Sequence, residues 1–193
     1  MGPLHHAKVV MRTMRAMEAL RLAALLAIAT FAASCTDPVR DAAIERLGGE
    51  AGGVSEGPEH RPGQPCVLCH SEGGPASSAP FAIAGTIFET KDPRSKGAEN
   101  VNVFFIDASS AQRTYTTNAA GNFYIPESEW ADLTFPFKVG IVKNGKIVEM
   151  RTTVNREGSC NFCHKPNPGS PYSLKGDDTR ESVGQVYVTA GAP

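Results

Sequence analysis

The chain has 193 residues and a formal net charge of −1 at pH 7, so it is about one domain long and offers no basic surface for nucleic acid. Its 19 glycines and 14 prolines favour turns over long helices, which excludes a helical bundle. Five cysteines are present, and four of them fall in two short motifs.

Residues 1–34 have the pattern of an export signal. Basic residues in the first 21 positions precede an uncharged run at 22–34, which is too short to span a bilayer comfortably. The run ends in small residues before Cys35, and this arrangement resembles the lipobox of bacterial lipoproteins. The resemblance implies cleavage before Cys35, lipid attachment to it and a membrane anchor; an ordinary secretory signal is the alternative. We therefore expect an exported protein, a periplasmic or cell-surface lipoprotein of the outer membrane.

A tether is predicted over residues 35–65. Residues 37–47 have the composition of a short helix, which Gly48 and Gly49 would end. Residues 48–65 are rich in glycine and proline and almost free of apolar side chains, which is typical of a flexible linker. The folded domain is then expected to span residues 66–193.

The two motifs have the form C-x-x-C-H. The first comprises Cys66, Cys69 and His70, and the second Cys160, Cys163 and His164. In this pattern two thiols form thioethers with the vinyl groups of one haem, and the adjacent histidine ligates its iron. Two copies in an exported chain predict two covalently bound haem c groups. A four-thiolate zinc site, a thioredoxin-like dithiol and ordinary disulfides are the alternatives.

Candidates for the second iron ligand are few. Beyond residue 34, His60 is the one histidine outside the motifs, and Met150 is the one methionine. His60 could fold over either haem or be a solvated linker residue. Met150 lies in a run with strand alternation and shares a face with Val148 and Val154, which favours a core position over ligation of the second haem. One haem could then be five-coordinate or be ligated by a second copy in a homo-oligomer or filament.

Between the motifs the pattern predicts a β domain. Apolar and polar residues alternate at 135–141, and Asn144-Gly145 is a strong hairpin signal. Seven short strands at this spacing predict a mainly β fold, an antiparallel β-sandwich flanked by two haem-binding loops. The haem loops are expected at 66–80 and 155–182, the strands within 81–154, and the last strand at 183–188. If successive strands alternate in direction, both haem peptides lie at one end of the sandwich.

Two resemblances accompany this reading. The segment Thr117-Asn118-Ala119-Ala120-Gly121-Asn122-Phe123, preceded by Gly85-Thr86-Ile87 and Val101-Asn102-Val103, resembles the carboxypeptidase-regulatory-like (transthyretin-like) sandwich over about residues 81–154. The overall plan is similar to the dihaem and multihaem c-type cytochromes of bacteria that respire on external acceptors. That similarity implies electron transfer with redox partner proteins such as other cytochromes, although three histidines for two haems is few. A dihaem peroxidase or reductase and a binding module with structural haems are the alternatives.

Overall fold

The structure is a computed structural model, and it describes residues 17–18, 20–21, 37–49, 55–167 and 182–188. The predicted signal run and Cys35 lie outside these residues. Within the described ranges, no helix has the length and apolar character needed to cross a membrane. The chain forms two compact units, residues 1–42 and 43–193, and the motifs belong to the second.

The described residues include six strands, three α-helices of which two are single turns, and a 3-10 turn at Glu127–Glu129. In chain order the α-helices and strands are α1 (Pro38–Leu47), α2 (Cys66–Cys69), β1 (Phe81–Thr86), β2 (Asn102–Ile106), β3 (Gln112–Thr116), β4 (Asn122–Pro126), β5 (Lys138–Lys143), β6 (Lys146–Glu149) and α3 (Cys160–Cys163). Helix α1 begins where Asp37 Oδ1 accepts the N–H groups of Val39 and Arg40 at 3.1 and 3.0 Å, an N-cap arrangement. It ends before Gly48, whose φ of +68° favours glycine. The predicted helix is thus confirmed.

The strands form two antiparallel sheets. Strands β1 and β4 make one pair, and the other sheet has the order β3-β2-β5-β6. The inward side chains of both sheets share one core, which includes Ile83 and Ile125 from the first sheet and Val103 and Phe105 from the second. The prediction of a mainly β fold is therefore confirmed, with the two sheets packed through their apolar faces.

Asp107 ties the end of β2 to the loop before β5. Its Oδ2 accepts hydrogen bonds from the Thr134 hydroxyl and backbone N–H, and its Oδ1 accepts from the Ser109 hydroxyl and the Ala111 N–H, at 2.7 to 3.2 Å. Burial raises the pKa of Asp107, but these hydrogen bonds outweigh it and lower the pKa to about 2. The ionised carboxylate is therefore the form that holds this corner of the sheet.

The predicted seventh strand, 183–188, is not a strand in the structure. Only Tyr187 pairs with the rest of the chain in a β-bridge, a parallel one with Phe88 beyond the end of β1. Gly184 has a φ of +86°, and the Gln185 Nε2 donates to the carbonyls of Thr90 and Asp92 at 2.9 and 3.1 Å. The backbone bonds on either side of the bridge both involve Phe88, whose N–H donates to the Val186 carbonyl at 2.8 Å and whose carbonyl accepts the Val188 N–H at 2.9 Å. Regular pairing is therefore confined to this one bridge.

The predicted tether ends earlier than residue 65. The Gly63 N–H donates to the buried Thr86 Oγ1 at 2.7 Å, and the Asn122 Nδ2 donates to the His60 carbonyl at 3.0 Å. The Asn118 Nδ2 donates to the Pro58 carbonyl at 2.6 Å. Residues 58–63 are thus fastened to β1, β4 and the turn before β4. Glycine and proline content indicated flexibility, but it says nothing about polar partners elsewhere in the chain.

Candidate functional site

The two C-x-x-C-H motifs adopt the same local conformation. In each, the residues from the first to the second cysteine form a single helical turn, α2 or α3. The turn is closed by the histidine N–H, which donates to the first cysteine's carbonyl at 2.9 Å in both motifs. The backbone angles of the two histidines agree closely, with φ/ψ of −92°/54° at His70 and −94°/59° at His164. Two segments 94 residues apart therefore have the same backbone conformation.

Each motif histidine is oriented by a backbone carbonyl. The Nδ1 of His70 lies 2.8 Å from the Ala79 oxygen, and the Nδ1 of His164 lies 3.0 Å from the Gly184 oxygen. Because a carbonyl only accepts hydrogen bonds, Nδ1 must carry the proton in both rings. In the neutral ring, Nε2 is then the nitrogen with a lone pair. This is the arrangement by which proteins orient an imidazole for binding to a metal.

The first motif is held by the loop that follows it. The Ala76 N–H donates to the Cys69 carbonyl at 3.1 Å, which turns the loop back over α2. The Phe81 N–H then donates to the His70 carbonyl at 2.9 Å. The Phe81 ring stacks on the His70 ring with centroids 4.0 Å apart, and Tyr124 stacks on the other side of Phe81 at 4.8 Å. The imidazole plane is thereby fixed by a row of aromatic rings.

The second motif is docked on the open edge of β1. Ala84 pairs with Tyr124 of β4 on one side and with Ser159 on the other, and its N–H donates to the Gly158 carbonyl at 2.9 Å. This approach requires small residues, since a Cβ on Gly158 would lie 2.0 Å from the Ala82 oxygen. Helix α3 follows directly, so the pairing fixes where the second motif stands on the sheet.

Strand β1 therefore contacts both motifs. Helices α2 and α3 each pack against it. A Cβ on Gly85 would lie 2.8 Å from the Cys160 Cβ, which shows how closely α3 approaches the strand. The two motifs, distant in the sequence, are brought together at this strand.

The first cysteine of each motif is a protonated thiol at neutral pH. Burial raises the pKa of Cys66 to about 12, and burial raises that of Cys160 to about 12 with a further contribution from the neighbouring Cys66. A thioredoxin-like dithiol instead requires a lowered pKa, because the thiolate is the nucleophile. The dithiol alternative is thus poorly matched by these surroundings.

The other two alternatives for the cysteines also find little support. The structure describes all four motif cysteines, and each is free of a disulfide bond. Within the described residues, no three His, Cys, Asp or Glu side chains are grouped so that they could hold a metal ion among themselves. A four-thiolate zinc site would require such a group.

Each motif opens into its own cavity. The His70 cavity, of about 630 Å³, is lined by Cys66, His70, His60, Phe81 and Tyr124 among others. The His164 cavity, of about 830 Å³, is lined by Cys160, Cys163, His164, Met150 and Val154 among others. Both volumes are in the range of cofactor sites, and Phe123 is the one lining residue that the two cavities share.

The two remaining predicted ligands are divided between these cavities. The His60 ring centroid lies 5.9 Å from that of His70, with the ring planes inclined by 51°. Met150 lies in the His164 cavity, and its side chain is 37% exposed. The favoured prediction that Met150 is a core residue is therefore wrong. Strand β6 lies at the sheet edge and all four of its residues are exposed, so alternation along this run did not correspond to burial.

Aromatic residues differ in their relation to the two cavities. Phe81 lines the His70 cavity, whereas Trp130 is a core residue with 1% exposure and Phe162 is 53% exposed. Tyr172 lies outside the described residues. Sequence reasoning missed the two carbonyls, of Ala79 and Gly184, that orient the histidines.

The described residues fit a haem at each motif. Two thiols stand one helical turn apart, the adjacent histidine presents Nε2, and a largely apolar cavity adjoins each set. By contrast, the acids near the motifs form no catalytic set. Glu157 lines the His164 cavity and accepts the Ser159 N–H at 2.7 Å, while Glu72 is exposed and does not line the His70 cavity. No protein-family model, curated protein or solved structure matches the chain.

Proposed function

We propose that the chain is a dihaem c-type cytochrome that transfers electrons outside the cytoplasm. One haem is attached through Cys66 and Cys69 with His70 as iron ligand, and the other through Cys160 and Cys163 with His164. Haem then supplies the redox change, while the protein orients the iron ligands and excludes water from the porphyrins. Redox partner proteins such as other cytochromes would deliver and remove the electrons.

The observation that carries the proposal is the repetition of one arrangement at two places. The same helical turn, the same histidine backbone angles and the same Nδ1-to-carbonyl bond occur at both motifs. The carbonyl contact at Nδ1 leaves Nε2 as the nitrogen that can bind a metal, an arrangement typical of histidine ligands. A repeated orientation beside paired thiols is therefore best explained by a repeated cofactor.

The remaining parts of the proposal rest on the sequence. The signal at residues 1–34 and the small residues before Cys35 support an exported lipoprotein, periplasmic or at the cell surface and anchored in the outer membrane. The proposal also includes a transthyretin-like sandwich between the motifs and association of the chain into a homo-oligomer or filament. Electron transfer is preferred over peroxidase chemistry because no Asp or Glu is among the described lining residues of the His70 cavity. Glu149 and Glu157 line the His164 cavity, but Glu157 is engaged in accepting the Ser159 N–H.

Mass spectrometry of the protein produced with and without a haem-maturation system tests the proposal. We expect a covalent gain of roughly 1.2 kDa with maturation, the mass of two haems held by paired thiols. Replacing Cys66 and Cys69 by serine should remove half of that gain, and replacing Cys160 and Cys163 should remove the other half. A matured wild-type protein without added mass, or with pigment that acidified acetone extracts, would contradict it. A high-spin absorption band that shifts on adding peroxide would instead favour a dihaem peroxidase or reductase.

A further inference from the structure

We infer that the two haem sites have different second axial ligands, His60 in the His70 cavity and Met150 in the His164 cavity, so that the haem at His164 has the higher reduction potential. The inference rests on the proposed function and extends it to the order in which the two haems accept electrons. Two observations support it: His60 and Met150 line different cavities, and backbone hydrogen bonds fix the position of each residue.

His60 stands at the distance from His70 that shared ligation requires. With imidazole–metal bonds of about 2 Å and the distance from nitrogen to ring centre added on each side, two imidazoles on opposite sides of one metal have centroids about 6 Å apart. The observed separation is 5.9 Å. Both rings line the same cavity, together with the Cys66 thiol.

The position of His60 is fixed by the fold. Its carbonyl accepts from the Asn122 Nδ2 at 3.0 Å, and three residues later the Gly63 N–H donates to Thr86 Oγ1 at 2.7 Å. Thr86 Oγ1 in turn donates to Asn122 Oδ1 at 2.7 Å, and both side chains are buried. A closed polar network thus holds the His60 loop against β1 and β4, on the His70 side.

The His164 cavity offers a thioether instead of a second imidazole. Among its described lining residues, His164 is the one histidine and Met150 the one methionine. Because the sequence beyond residue 34 has no other spare histidine or methionine, the undescribed segments at 50–54, 168–181 and 189–193 add no competitor. The Met150 N–H donates to the Val139 carbonyl at 2.9 Å, which fixes its backbone beside the cavity.

The apolar surface around Met150 is consistent with a porphyrin edge covering it. Val148 and Val183 also line the His164 cavity, and they are 55% and 70% exposed. Large exposed apolar side chains grouped at one opening mark a surface suited to an apolar group. Methionine–histidine ligation raises the potential of haem c, so a haem held by His164 and Met150 would be reduced before the other one.

Spectroscopy and redox titration of the fully matured protein test the inference. In the wild type we expect a sulfur-to-iron charge-transfer band in the oxidised form and two separate reduction steps. Met150→Ala should abolish that band and make one haem high-spin. His60→Ala should keep the band and make the other haem high-spin. Ile147→Ala and Glu59→Ala, exposed neighbours that line neither cavity, are the matched controls and should leave both features unchanged.

The conservative variant Met150→His guards against a trivial loss of folding. It should keep both haems low-spin, remove the sulfur band and lower the upper of the two potentials towards the lower one. The inference is overturned if the wild type with two attached haems lacks the sulfur band, if Met150→His leaves both potentials in place, or if His60→Ala leaves both haems low-spin. Failure of the proposed function is a separate result, since it shows as missing covalent haem mass in the wild type.

Discussion

Substituting Gly158 by alanine should undock the second motif from β1. The new Cβ would lie 2.0 Å from the Ala82 oxygen, a backbone atom that cannot move independently of the strand. Relief of this contact requires the 158–159 backbone to move away, which breaks the 2.9 Å bond from the Ala84 N–H to the Gly158 carbonyl. Ala84 is fully buried, so its N–H would be left without a partner at a cost of about 1–3 kcal/mol.

Urea unfolding and hydrogen exchange measure this effect. We expect the free energy of unfolding of Gly158→Ala to fall by about 1–3 kcal/mol and the Ala84 amide to exchange faster. Gly49→Ala is the matched control, because a Cβ there has nothing within 4 Å, and it should cause no loss of stability. An unchanged free energy of unfolding together with a protected Ala84 amide would refute the view that backbone pairing with β1 positions the second motif.

Three further substitutions test the polar network at His60, the Asp107 corner and the core. Thr86→Val leaves the Gly63 N–H and Asn122 Oδ1 without their partner and should destabilise the protein by about 1–3 kcal/mol or more, measured by urea unfolding, with faster proteolysis before residue 65. Asp107→Asn should destabilise at pH 7; because the folded pKa of about 2 lies below the ordinary 3.8, the difference from wild type should shrink as pH falls towards 2. Ile83→Ala, at a fully buried site, should lower the free energy of unfolding by about 2–5 kcal/mol in the same assay.

The strands were predictable because their signals are local. The hairpin between β5 and β6 was indicated by Asn144-Gly145, and both residues have positive φ, 51° and 77°, as this two-residue turn requires. Lys143 pairs with Lys146 across it. The two motifs were equally local, since their residue types and spacing lie within five consecutive positions.

Features that depend on distant partners were not predictable. A backbone carbonyl has no side-chain signature, so nothing in the sequence singled out Ala79 or Gly184 as the acceptors for the histidines. The fixed position of His60 depends on Asn122, 62 residues away. The wrong prediction of a core position for Met150 also arose from a dependence on distant partners. Alternation specifies the two faces of a strand, but it does not specify which position in the sheet the strand will occupy.

The composition of β1 explains how two sites can share one strand. Its core-facing Ile83 belongs to the common hydrophobic cluster, while Ala82, Ala84 and Gly85 are small enough for α2 and α3 to approach its backbone. A larger residue at Gly85 would meet the Cys160 Cβ and the Phe123 ring within 3 Å. Small residues in a strand usually weaken it, because they contribute little packing. Here they permit both motif helices to contact one strand. In the proposed function, the same residues that lower strand propensity would place the two haems near each other for electron exchange.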